Sequence, residues 1–502
     1  MIINSEFDAI IIGSGMGGMS TAALLAKDGY RVLILEAALH PGGCSSSYPR
    51  KGYVFESGAT TLIGFDENQP LRKLEDETGI SIPREELHPS MKVLMGDESI
   101  TRYKNRYEWI EEVVRVFGNR KGQKKFWNLA FDLSEVVWKV SLKNPTFPPL
   151  NIGDWFRLAT SNSPKDVWVL KYALKSVKQV AEKCGIATPK FLKFLDEQLM
   201  ITAQAKSEET PFLFGAPGLT YTNYSNYYVP GGLIQMINTI KIFVEQKGGA
   251  LHTKEAVIEV TRDGKEFLVK TKKDNLYKAP IVVSNIPIWN MKEITKDSMK
   301  NYFEAEAKNF DKAWGAITMG IATSDTYPDD LSIHHQIHLN SGAKVPFTIS
   351  ESIFVSMSKK GDEERAPKGE RTLNISCHAS PETWFDMTED EYQRNKKMVH
   401  DFILSTLKEK LPGFANAEIK LADTATPVSW ENWVYRNKGR VGGIPQSMAR
   451  SLLNWTQNQT PFKGFYLVGD TTYPGQGIPG VTLSGINVYY RVYKNHKKPV
   501  FD

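Results

Sequence analysis

"FDAIIIGSGMGGMSTAALLAKDGYRVLILEAA", residues 7–38, reads as one complete strand–helix–strand unit. Ala9–Ile12 is wholly apolar, as expected of a strand at the buried centre of a parallel sheet. Met19–Lys27 is made of good helix formers, and Asp28-Gly29 stops the helix. Arg31–Leu35 supplies the second strand. Between first strand and helix stands Gly13-x-Gly15-x-x-Gly18, with Met16 at the helix start. The first glycine permits a tight turn, the second lets a pyrophosphate reach the backbone, and the third lets helix pack on strand. The free N–H groups and positive end of the helix then suit phosphate. Glu36 and Ala37 close the second strand. Glu36 stands eighteen residues after Gly18, close to the ~20 expected of a ribose-binding acid.

Both NAD and FAD proteins use this unit, so the following residues decide. "HPGGCSSSYPRKGYVFESGATTLIGF" (40–65) brings a Gly42-Gly43 doublet, then Ser45, then Gly58-Ala59-Thr60. An NAD domain proceeds here to another strand and helix. A second glycine turn directly after the acid is the FAD arrangement.

Composition bounds the rest. A chain of 502 residues exceeds what one core serves, so two or more domains are expected. A net charge of +5 lacks the concentrated basic stripe of a nucleic-acid binder. Cys44, Cys184 and Cys377 are widely spaced, which fits neither a disulfide scaffold nor a cysteine zinc site and suits a reducing compartment. No uninterrupted apolar run is long enough to span a membrane. Glu6 and Asp8 flank the first apolar run where a signal peptide carries lysines, so that reading is set aside. The expected location is cytoplasmic.

Taken together, these motifs resemble the FAD-dependent phytoene desaturase, carotenoid isomerase and retinol saturase group, within the amine-oxidase-like flavoproteins. The resemblance is strongest over residues 8–66, 228–260, 281–287 and 439–487. It implies an α/β fold: a Rossmann-like FAD-binding domain assembled from 1–90, 226–290 and 426–502, with a mixed α+β substrate domain from 91–225 and 291–425. It also accounts for the late glycine-rich stretch "GDTTYPGQGIPGVTLSG" (469–485). Gly469-Asp470 corresponds to the strand end whose carboxylate bonds the ribityl chain of FAD. Gly480-Val481 corresponds to a helix start aimed at the flavin pyrimidine edge, where N–H donors stabilise developing negative charge. A backbone segment near Val257 corresponds to the adenine contact. "PIVVSNIP" (280–287) corresponds to a strand rejoining the cofactor domain, and Val257–Val260 is expected to return to the same sheet.

The implied reaction is an oxidoreduction at C–C bonds of a long apolar isoprenoid, with carotenoid desaturation as the first reading. The alternative is cis–trans isomerisation or saturation using reduced flavin, and a further alternative is a flavin amine oxidase. Two departures bear on the branch. Cys44 follows the glycine doublet where most relatives have arginine, and Glu56 replaces the aspartate of Phe-Asp-x-Gly. No catalytic acid or base is assigned.

Other features have plain readings. His334, His335 and His338 alternate with apolar residues as in a strand, and no metal site is expected. Cys44 reads as a small buried residue of a glycine turn, and "KKGDEERAPKGERT" (359–372) as a solvated loop. Tyr221, Tyr224, Tyr227 and Tyr228 fit equally an aromatic wall beside the flavin and a tyrosine-anchored surface loop. Thr426-Pro427 and Gly442-Gly443-Ile444-Pro445 correspond to the family's segment near the substrate tunnel. Ser163–Lys183 reads as one amphipathic helix, with Val167, Leu170, Leu174 and Val177 on one face and Lys171, Lys175 and Lys178 on another. It is either a peripheral membrane-surface element or a helix packed into its own core.

Overall fold

A computed structural model describes residues 3–4, 7–308, 310, 312–340, 342–450 and 454–496. Glu6 and the outermost ends of the expected cofactor domain lie outside these described residues. The central element is a parallel sheet of five strands in the order Ala250–His252, Val32–Leu35, Ala9–Ile12, Ile281–Ser284, Phe465–Leu467. Helix Met16–Lys27 crosses between its first two strands in sequence, and helix Ile478–Asn495 packs against that helix. The three inner strands Ala9–Ile12, Val32–Leu35 and Ile281–Ser284 are buried along their full length, as expected for a sheet covered on both faces.

A second sheet has seven strands and draws on two distant parts of the chain. Met91–Met95 and Glu98–Arg102 form one edge, and the rest runs from Gly315–Ser324 to Ile419–Ala425. Most helices between residues 106 and 220 cluster around Trp109, Trp127, Phe191 and Phe194, helix Ile152–Ser161 standing outside that core.

Four expectations are corrected. The strand that returns to the five-stranded sheet is Ala250–His252, while Val257–Asp263 belongs to a separate four-stranded sheet. This longer strand pairs with the antiparallel strand Glu266–Thr271, and of its residues Val260 is buried. Residues 291–308 pack with the cofactor-side core, where Met299 and Phe303 join Phe267 and Phe465. The stretch 163–183 is two pieces: a 3-10 run Pro164–Tyr172 and a helix Val177–Lys183. Ser176 separates them, because its hydroxyl accepts the Gln179 N–H while the Gln179 side chain accepts its own N–H, a capping box that starts a new helix. Val177 is buried, whereas Val167, Leu170 and Leu174 are exposed.

The fourth correction concerns the charge run. Arg365 lies buried within it and pairs with Glu56 at 3.0 Å. The Glu56 carboxylate also accepts from the Ser47 hydroxyl (2.5 Å) and the Leu233 N–H (3.2 Å), at the start of helix Ile234–Gln246. Burial pushes the Glu56 carboxyl up, against the pull of Arg365, Ser47 and Leu233. This pair ties the hairpin Ser47–Glu56 to the loop leading into the seven-stranded sheet. Arg365→Met leaves a buried carboxylate without its cation, and is expected to cost about 3–5 kcal/mol of stability. Denaturant unfolding measures it, and a cost near that of a surface substitution would contradict the assignment.

Candidate cofactor site and cavity

The two glycine clusters at opposite ends of the chain meet. A Cβ on Gly17 would lie 3.1 Å from the Val481 carbonyl oxygen and 3.2 Å from the Gly469 nitrogen, and one on Gly485 would lie 2.6 Å from the Gly17 oxygen. Gly17 and Gly485 let the two helices touch backbone to backbone, a role read for neither of them from sequence.

Gly13 adopts φ +91°, the left-handed turn expected of the first glycine. Gly18 has no room for a Cβ, which would meet the Gly13 oxygen at 2.6 Å and Ile11 at 3.0 Å. Gly15 is needed for a reason the sequence hid: a Cβ there would lie 2.3 Å from Asn285 Nδ2. Asn285 follows strand Ile281–Ser284, and its Oδ1 accepts the Gly18 N–H at 3.0 Å. The other N–H groups of the first turn, from Met16 onward, have no intrahelical acceptor.

Ser14 joins the acid to both glycine turns. Glu36 Oε2 accepts from the Ser14 N–H (2.8 Å) and hydroxyl (2.5 Å), while the Ser14 oxygen accepts the Gly42 N–H (2.9 Å). Glu36 Oε1 accepts from the Ala38 N–H, across Ala37. Gly42 and Gly43 both have positive φ, and a Cβ on Gly43 would lie 3.6 Å from Gly15 Cα, so the two turns face each other. Val257 stands two residues after Glu255, whose N–H donates to the Glu36 carbonyl at 2.8 Å.

From this end a cavity of about 450 Å³ opens between the sheets. Ser45, Gly58, Ala59, Thr60, Asp470, Gly480 and Val481 border it, so seven of the residues singled out by sequence meet at one cavity. Gly469 stands just behind Asp470, with φ +110° and its N–H donating to Ser484 Oγ. Helix Ile478–Asn495 starts two residues before Gly480, with Pro479 in its first turn, and its N-terminus faces the cavity.

Two polar neighbours of Asp470 were not foreseen. Arg436 Nη2 donates to Asp470 Oδ2 at 2.7 Å, in a largely buried pair. Cys44 borders the cavity beside it, and burial pushes its thiol up against the pull of Arg436. No sequence signal marked Arg436. It follows Tyr435 in a left-handed turn, where chain geometry alone brings it inward. Asp470 Oδ1 accepts no hydrogen bond among the described residues and remains available.

The tyrosines divide. Tyr221 and Tyr224 border the cavity, whereas Tyr227 packs edge-on against Phe65 and Tyr228 donates to Asp362. Trp430 borders the cavity over Gly58, while Trp433 is exposed. The histidine strand is buried, and burial pushes His334, His335 and His338 down to about 3, 4 and 3. Among the described residues no group of three metal-ligating side chains occurs.

A family model described as flavin containing amine oxidoreductase matches residues 16–492. The chain belongs to that family. It is 28% identical over 514 residues to the chloroplastic prolycopene isomerase of Daucus carota, covering 99% of this chain and 82% of that protein. It is 24% identical over 508 residues to a lycopene-forming phytoene desaturase of a Paracoccus strain, covering 95% of each. A solved putrescine oxidase, wild type bound to putrescine, has the same fold at a TM-score of 0.62 and 14% identity, covering 97% of this chain and 99% of that one. The protein is an FAD-dependent oxidoreductase. The donor set fits that cofactor: Glu36 and the first helix N-terminus lie beside the second glycine turn, and the second helix N-terminus and the unpartnered Asp470 oxygen border the cavity that follows it.

Gly15→Ala is expected to lower flavin retention, and adding Asn285→Ala should restore part of it by removing the atom the new methyl strikes. The visible flavin absorbance of purified variants checks this. Equal flavin content in Gly15→Ala and wild type would contradict it.

Proposed function

We propose that this flavoenzyme changes the cis–trans geometry of a C=C bond in a long polyene of the carotenoid type, without net oxidation. The observation that carries the reading is near full-length similarity to a prolycopene isomerase, stronger than that to a phytoene desaturase. Desaturation, the first reading from sequence, thereby yields to its alternative. The cavity suits such a ligand. Tyr221, Tyr224, Phe354 and Trp430 offer flat walls to a planar chain, and each buried CH₂ contributes about 0.8 kcal/mol.

In this reading the Gly13–Gly18 turn and the helix behind it hold the FAD pyrophosphate, and Glu36 holds a ribose. Asp470, fixed by Arg436, takes the ribityl chain, and the N-terminus of helix Ile478–Asn495 faces the ring. FAD, when bound, supplies hydride exchange. The protein's own part is to exclude water, to align the polyene and to offer positive helix ends to negative charge. Prolycopene mixed anaerobically with pre-reduced holoenzyme should change its isomer composition at constant mass. Loss of two hydrogens with flavin bleaching would favour desaturation instead, and turnover of diamines alone would overturn the polyene reading.

A polyene dissolves in lipid, so we also place the protein on the surface of the cytoplasmic membrane. Among the described residues no helix is long and apolar enough to cross a membrane. What supports surface binding is a patch of exposed apolar side chains: Ile152, Trp155 and Phe156 of helix Ile152–Ser161, with Val167, Leu170 and Leu174. Arg157, Lys165, Lys171 and Lys175 stand among them in sequence, a mixture suited to anionic headgroups. The patch is tied to helix Arg120–Lys143 by Lys139–Asp166 (3.0 Å), and Val137 and Trp138 of that helix border the cavity. The protein is expected to float with anionic vesicles at low salt. Phe156→Glu with Leu174→Glu should return it to solution with flavin bound, and a wild type that stays soluble would refute the placement.

A further inference from the structure

A pure hydrocarbon has no use for one wall of this cavity. Part of that wall is a face of the seven-stranded sheet, where Gln336, Phe354, Ser376 and Thr318 fall in one cross-strand row. Two residues along their strands, Ser352 and His378 share that face and also border the cavity. Helix Pro189–Thr202 brings Glu197, itself 6% exposed, to the same space.

Hydrogen bonds fix how these groups point. Arg102, fully buried, donates to Gln198 Oε1 at 2.7 Å and to Thr222 Oγ1 at 2.8 Å. Gln198 Nε2 in turn donates to Gln336 Oε1. With its carbonyl so committed, Gln336 must turn its amide N–H groups toward Ser352 Oγ (3.2 Å) and the Glu197 carbonyl (3.0 Å). The Ser352 oxygen then accepts from Gln336, so its proton goes to Glu197 Oε2 at 2.5 Å. Glu197 Oε1 has no hydrogen-bond partner among the described residues. The His378 backbone is tied to Ser350 through both N–H and carbonyl, while its ring nitrogens make no hydrogen bond among the described residues.

A polar group left beside an apolar ligand without a partner is costly. Here two such groups border one cavity. Burial pushes the Glu197 carboxyl up, against the pull of Ser352, which favours the form that carries a proton to donate. Burial pushes His378 down to about 4, so near neutral pH its ring offers one donor and one acceptor.

We propose that this wall binds an oxygen-bearing end group, a hydroxyl or carbonyl on the polyene, through Glu197, Ser352 and the His378 ring. The preferred substrate is then an oxygenated polyene, with hydrocarbon polyenes such as prolycopene accepted more weakly. This rests on the reading that the cavity takes a polyene at all. A site whose buried polar groups match a substrate oxygen rejects the analogue lacking it far more strongly than it senses a methylene.

The test compares lycopene with 1-hydroxy-1,2-dihydrolycopene, of the same carbon skeleton, binding to the holoenzyme in detergent by quenching of tryptophan fluorescence. Wild type should bind the alcohol at least about tenfold more tightly than the hydrocarbon. Glu197→Leu and Ser352→Ala should each shrink that preference to within about twofold with lycopene affinity undiminished, and Glu197→Gln should retain most of it. Flavin content reports correct folding. If Glu197→Leu does not fold, Ser352→Ala and the wild-type comparison decide. Equal affinities in wild type, or a preference that survives in folded Glu197→Leu and Ser352→Ala, would overturn the proposal while leaving the polyene reading intact. If neither polyene binds, both readings are overturned.

Discussion

The approach of helix Met16–Lys27 to helix Ile478–Asn495 is the constraint on which the rest of the molecule turns. Backbone meets backbone there, because Gly17 and Gly485 leave no side chain between them. Thr21 Oγ1, which donates within its own helix to the Gly17 oxygen, also reaches the Gly485 oxygen at 3.2 Å. The contact lies in the first turn of one helix and the first two turns of the other, so their N-termini converge. Each such end carries about half a positive charge. Two of them, held side by side with Glu36 near one and Asp470 near the other, make a site for a long anionic cofactor whose ring becomes more negative on reduction. Any larger residue at Gly17 would part the helices and separate these ends.

What sequence revealed follows from how local each signal is. The strand–turn–helix–strand unit of residues 7–38 was legible because its apolar runs, glycines and acid lie within one short window, and each has one physical use. The second glycine turn and the Gly469-Asp470 strand end were legible through resemblance, and the cavity gathers most of those residues. Ser14 was hidden as an unspecified position between two glycines, although its hydroxyl joins Glu36 to Gly42. Asn285 and Arg436 act across more than 250 and 30 residues respectively. Nothing in their neighbourhoods announces such partners. The helical pattern of 163–183 misled because its lysine spacing outweighed one serine. Ser176-x-x-Gln179 is a helix-start signal, and the hydrophobic positions on its two sides face different surroundings.

Charged residues also misled when counted by neighbourhood. Within residues 359–372 polarity suggests solvent, and Lys360 and Glu363 follow that expectation. Arg365 and Arg371 do not: they are buried, the first on Glu56 and the second against the Ser358 carbonyl and Asp325. A long side chain reports only how far it can reach, and its destination depends on which carboxylate the fold brings near.

The buried pairs share a placement that explains why they persist. Glu56–Arg365 joins the second glycine turn's hairpin to the seven-stranded sheet, and Asp470–Arg436 joins the last strand of the cofactor sheet to the loop after helix Pro427–Val434. Arg102 fastens the edge strand Glu98–Arg102 to helix Pro189–Thr202 and to the turn around Leu219. In each case the partners come from separate segments of the chain, and Asp470 itself borders the cavity. A hydrophobic contact tolerates sliding, since apolar surface is buried in many arrangements. A buried charge does not, since any other arrangement leaves it unpaired at a cost of several kcal/mol. The cavity wall is therefore assembled from segments whose mutual positions are fixed by charge, while the apolar residues between them supply most of the burial. That division separates the residues that would contact a ligand from those that hold the frame around the cofactor site.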